Sequence, residues 1–157
     1  MTDKPLDAEQ SIEVATRIKS KAKTNFDNAA KALAIVDGAL YVQGFIAFTG
    51  SPYKPVEHSW LELDDRILDP TFPHLNRKPE QVYYYPAQKL TAKQLKKAID
   101  EAKEDYPEDD PLPIYGSTPY EYYGDVMLGG KEYLKAYEDA NAKCIELNPP
   151  KQRNQQN

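Results

Sequence analysis

The chain has 157 residues, 40% of them apolar, a formal net charge of −5 and a pI of about 5.1. This length suits one domain with its own core, and the acidic balance argues against phosphate-driven nucleic-acid binding, which needs clustered Lys and Arg. The only cysteine, Cys144, excludes an intrachain disulfide, no apolar run approaches the ~18 residues of a membrane span, and the first residues lack the apolar stretch of a secretory signal; the expectation is a cytoplasmic protein away from membranes.

The first six residues read as a loose start. Residues 7–23 carry Ile12, Ala15, Ile18 and Ala22 on one stripe, the period of an amphipathic helix. A second helix is expected from Thr24, where Thr24 and Asp27 fit a capping box. Phe26, Ala29, Ala30, Leu33 and Val36 form its apolar face, and Asp37-Gly38 stops it. Residues 39–48 are rich in β-branched and aromatic side chains and predict a strand. A Gly- and Pro-containing loop over 50–55 leads to a second strand over 56–63. There His58, Trp60 and Glu62 face one way, and Ser59, Leu61 and Leu63 the other. Asp64-Asp65-Arg66 turns the chain into a third strand at Ile67-Leu68, giving an antiparallel meander.

Residues 70–81 read as Pro-punctuated loop and 82–85 as a short strand. Thr91 and Gln94 form a capping box for a helix whose apolar face is Leu95, Ala98, Ile99 and Ala102. Three prolines and four acids make 105–113 a solvated loop. Gly129-Gly130 precedes a last helix to Leu147, with Tyr133, Ala136, Tyr137, Ala140 and Cys144 on one side. Residues 148–157 are expected to be a disordered tail. The fold class is therefore α+β: one domain over 1–147, with N-terminal helices packed on an antiparallel meander and further helices after it.

The strongest local signal for chemistry is His58-Ser59-Trp60 followed by Asp69-Pro70-Thr71. Eleven residues separate His58 from Asp69, and the turn at Asp64-Asp65 folds that span in half. A carboxylate at the end of one strand then meets an imidazole on its neighbour. It fixes the tautomer and leaves the second ring nitrogen as a base. Taken alone, a histidine beside a tryptophan is more often satisfied core, and Asp-Pro-Thr is a common turn. Cys144, on an apolar stripe, reads as inert packing. His74 reads as exposed, and two scattered histidines do not make a metal site. The triplet Tyr83-Tyr84-Tyr85 and the run Tyr120-Glu121-Tyr122-Tyr123 read either as core padding or as a contact surface.

His58…Trp60…Asp69-Pro70-Thr71 resembles the second motif of the transglutaminase-like (papain-type Cys-His-Asp) superfamily. Upstream, Asn25-Phe26-Asp27-Asn28-Ala29 and Tyr41-Val42-Gln43-Gly44 resemble segments of its small bacterial and phage members, in which a cysteine begins the helix. The likeness spans residues 24–72. It implies a cysteine-proteinase-like core with Asn25 in the nucleophile slot, His58 as base and Asp69 as orienting carboxylate. A carboxamide has no ionisable nucleophile, so the acyl-enzyme route is lost. The resemblance thus implies a catalytically impaired, phage- or mobile-element-encoded pseudoenzyme that binds or inhibits a protein partner, with no cofactor. Trp60, Gln43, Tyr53, Tyr84 and Tyr122 are its candidate binding residues. The alternative is an active hydrolase or amide transferase that uses His58 and Asp69 with another nucleophile or an activated water.

Overall fold

The computed structural model describes residues 2, 4–115 and 130–150. Helix α1 spans Ala8–Ile18, and the Asp7 carboxylate caps it by accepting from the Gln10 amide at 2.9 Å. It ends sooner than the periodicity suggests. Lys19 turns into the left-handed region (φ 57°) and its N–H bonds back to Ala15 and Thr16. Helix α2 spans Asn25–Leu33. Thr24 does not form the expected capping box; its hydroxyl instead donates to Oδ1 of Asn28 at 3.2 Å. That same carboxamide grips the Lys21 amide and carbonyl, which holds the α1–α2 linker out of helix.

Strands β1 (Leu40–Ala47), β2 (Val56–Glu62) and β3 (Ile67–Leu68) form the expected antiparallel meander. Strand β4 (Tyr83–Leu90) is longer than the expected 82–85 and pairs antiparallel with the other side of β1, giving the order β3-β2-β1-β4. The alternation that would reveal β4 in the sequence is broken by a register shift between Gln43 and Gly44. Gly44 makes this possible: a Cβ there would lie 2.1 Å from the Tyr85 carbonyl oxygen. Helix α3 (Ala92–Asp105) has the Thr91/Gln94 capping box, and α4 spans Lys131–Leu147. The chain is an α+β fold with four helices and one four-stranded antiparallel sheet among the described residues.

The sheet has two covered faces. On one, Tyr41 and Leu61 pack against Ala29, Ala32 and Leu33 of α2 and Leu95 of α3, while Phe45, Ala47 and Tyr85 pack against Tyr133, Ala136, Ala140 and Cys144 of α4. On the other, Val42, Ile46, Trp60 and Tyr84 pack under Phe72, Val82 and Leu6. Phe72 belongs to the first of two short 3-10 turns, Phe72–His74 and Pro79–Gln81, that break up the 70–81 loop. Residues 4–7 run along the outer edge of β3: the Ile67 amide donates to Pro5 and the Asp7 amide to Ile67.

Two other expectations change. The 105–113 loop is exposed through its acids, but Leu112 and the following Ile114 are buried. Asn148, assigned to the tail by composition, is buried; it accepts from the Gly50 amide at 2.8 Å and donates to the Cys144 carbonyl at 2.9 Å. Residues 151–157 lie outside the described residues, as does Tyr122. No described helix is long and apolar enough to cross a membrane.

Candidate functional site

The hairpin folds as its turn residues require, and His58 on β2 meets Asp69 just beyond β3. His58 Nε2 lies 2.8 Å from Asp69 Oδ2. An ionised carboxylate only accepts, so Nε2 carries the proton and Nδ1 is the basic nitrogen. Both residues are buried, His58 at 2% exposure and Asp69 at 0%. Burial of a carboxylate is tolerable only with its lone pairs satisfied, and here they are. Oδ2 also accepts the Tyr84 hydroxyl at 2.8 Å, and Oδ1 accepts the Thr71 amide at 2.9 Å. Asp69's own amide donates to Ser11 Oγ of α1 at 2.9 Å. Burial, then the Asp69 charge and the hydrogen bond to it, push the Tyr84 hydroxyl pKa well up, so Tyr84 stays a neutral donor. Trp60 lies edge-on to Tyr84 (5.0 Å) and stacks beside His58 (6.2 Å).

Asn25, at the head of α2, reaches the same strand. Its side-chain oxygen accepts the Ser59 amide at 2.9 Å, one residue along β2 from His58. Ser59 itself faces away and donates to the Val42 carbonyl at 2.8 Å. Three residues on, Asn28 Nδ2 donates to Thr71 Oγ1 at 2.9 Å and to the Lys21 carbonyl at 2.7 Å. Asn28 therefore joins the start of α2 to the Asp-Pro-Thr turn. Its signal in the sequence is a polar residue beside two alanines on an apolar helix face.

The other candidates part company. Trp60 and Tyr84 belong to the His58–Asp69 cluster. Gln43 lies on the opposite sheet face and uses every polar valence of its carboxamide. It donates to the Ile114 carbonyl (2.6 Å) and the Tyr133 hydroxyl (2.5 Å), and accepts from the Ile114 amide (2.8 Å) and the Tyr41 hydroxyl (2.6 Å). With nothing left to offer a ligand, it is a structural hub. Tyr53 sits in the β1–β2 loop at φ 63°. His74, expected to be exposed, is half-buried, its Nε2 3.0 Å from the Ser20 hydroxyl. Cys144 is buried on α4, where burial pushes the thiol pKa up, away from nucleophilic use. Sequence reasoning also passed over Glu62, whose buried carboxylate receives Lys4 at 3.1 Å and Lys89 at 3.0 Å through one oxygen. The described residues hold no cluster of three or more His, Cys, Asp or Glu suited to a metal.

A general base must come within hydrogen-bond reach of the proton it removes. His58 is oriented for that work but enclosed. The arrangement can hold a fixed tautomer and a neutral tyrosine donor around one carboxylate; it has no ionisable nucleophile at the head of α2. No family model, no curated protein and no solved structure matches the chain.

Proposed function

We propose that this chain is a transglutaminase-like domain that has lost its nucleophile and serves as a protein-binding or inhibitory module, not as a catalyst. The observation that carries the reading is Asn25. It stands at the first position of α2, beside the histidine strand, and its carboxamide is committed to the Ser59 amide at 2.9 Å. A helix N-terminus is where a thiolate would be stabilised, and a carboxamide there cannot ionise. The meander, the α2–β2 packing and the His58–Asp69 contact support the cysteine-proteinase-like core in this reading. The burial of His58 supports a structural role for the pair over a catalytic one.

The test is gain of function. The wild type is expected to leave ester and amide substrates untouched, and Asn25→Cys to create a thiol that alkylates faster at neutral pH than a surface cysteine. His58→Ala in the Asn25→Cys background should remove that excess reactivity. Wild-type turnover abolished by His58→Ala would overturn the reading in favour of a hydrolase with another nucleophile or an activated water. Ordinary thiol reactivity in Asn25→Cys would overturn the family assignment. For the binding role, a saturable protein partner is expected, and its absence from bacterial and phage-infected lysates would count against that role.

A further inference from the structure

We propose that residues 4–7 form a detachable strap whose release opens the buried Trp60–Tyr84–His58 cluster to solvent, an inference independent of the family reading. The strap is held by nameable contacts, beyond the Asp7 cap on α1 and the bond of the preceding Thr2 amide to the Tyr84 carbonyl at 3.2 Å. Two are main-chain bonds along β3, Ile67 N–H to Pro5 at 2.8 Å and Asp7 N–H to Ile67 at 2.9 Å. Lys4 Nζ adds a bond to the Leu63 carbonyl at 2.8 Å and the ion pair to Glu62. Arg66 and Asp7 pair at 3.2 Å, both partly exposed. Leu6 is the strap's apolar contribution, packed against the cluster that contains Trp60 and Tyr84. It forms one wall of an open pocket of about 330 Å³, lined by Thr2, Lys4, Pro5, Leu6, Val82 and Tyr84 among others.

Among the described residues, two buried groups on this face of β2 have no protein partner: the Trp60 indole N–H and Glu62 Oε2. A buried polar group without a partner destabilises the state that buries it. Both would gain access to bulk water when the strap lifts, which offsets part of the cost of opening. Opening also strands no charge. Lys89, from β4, still holds Glu62 Oε1 at 3.0 Å when Lys4 leaves. A segment fixed by a handful of partly exposed contacts, over a core that keeps its own counterion, belongs to the low-stability end of a fold.

Trp60 is the only tryptophan and is fully buried, so acrylamide quenching of its fluorescence reads the strap directly. Lys4→Met is expected to raise the quenching constant about threefold while thermal unfolding stays cooperative, and Lys96→Met, which breaks an exposed pair on α3, to leave it unchanged. In the wild-type chain, the Asp7 and Ile67 amides should exchange with solvent at least about tenfold faster than those of β1. Unchanged quenching in Lys4→Met overturns the proposal. So does exchange of Asp7 and Ile67 at the β1 rate, because that means the strap opens only when the whole domain unfolds. The exchange experiment needs no substitution, so it decides the matter even if Lys4→Met does not fold.

Discussion

Two buried polar centres sit on opposite faces of the same strand pair. Gln43 pairs in register with Ser59, and Gly44 with His58, so the centres are one residue apart along the ladder. The Gln43 centre is neutral: a carboxamide, two tyrosine hydroxyls and the Ile114 backbone. The Asp69 centre is ionic: a carboxylate, an imidazole and a tyrosine, backed by Ser11 and Thr71. Both are saturated, yet for different ends. A neutral hub fastens a loop and a helix to a sheet. An ionic hub fixes a tautomer, and is costly to bury unless something requires the charge.

Breaking the ionic centre should cost most. Asp69→Ala leaves His58, Tyr84 and the Thr71 amide without their acceptor and should destabilise the fold by about 3–5 kcal/mol in urea titration. Gln43→Leu removes four hydrogen bonds around one side chain and should cost about 2–3 kcal/mol, with faster amide exchange at Ile114 and no change at Thr71. Equal losses for the two would erase the distinction between them. Tyr84→Phe removes one charge-assisted bond to Asp69 and should cost about 1.5–2 kcal/mol. Asn25→Ala frees one strand amide and should cost about 1 kcal/mol.

The pH profile sharpens the same contrast. Burial keeps Tyr41, Tyr84 and Tyr133 neutral well above the ordinary tyrosine range. Their folded pKa values are raised, so the stability they confer is full below the unfolded value, about 10. It is lost as pH climbs from there towards the folded values. Two of these tyrosines serve the Gln43 centre and one the Asp69 centre, so Tyr84→Phe should flatten only part of the alkaline slope in chemical unfolding. The smallest effect is expected at Glu57. Burial raises its pKa, with the Tyr115 and Tyr133 hydroxyls opposing. The folded state therefore favours its protonated form, and stability declines as pH rises from about 4.5 through the folded value. Glu57→Gln should remove that decline in a stability-against-pH series.

The meander and the His58–Asp69 contact were legible because each rests on local rules: alternation along 56–63, a turn at Asp64-Asp65, and strand neighbours meeting across a hairpin. What escaped was long-range. β4 hides because Pro86 and the register shift at Gly44 break its alternation, and only β1 makes it a strand. Gln43 looked like a ligand contact because nothing local announces Ile114 and Tyr133, 71 and 90 residues away. Asn25 was placed beside the right strand, but its bond to the Ser59 amide depends on how α2 docks. The Thr24 hydroxyl makes no cap bond and turns to Asn28, whose bond to Thr71 spans 43 residues.

The strap along β3 also bears on solubility. Both polar groups of Ile67 on that outer edge are occupied by residues 5 and 7. A chain in which residues 4–7 have come away offers a sheet edge with free donors and acceptors, the template on which strands of separate molecules join. Truncation before α1 should therefore lower the concentration at which the protein self-associates, with Lys4 and Asp7 acting as its gatekeepers.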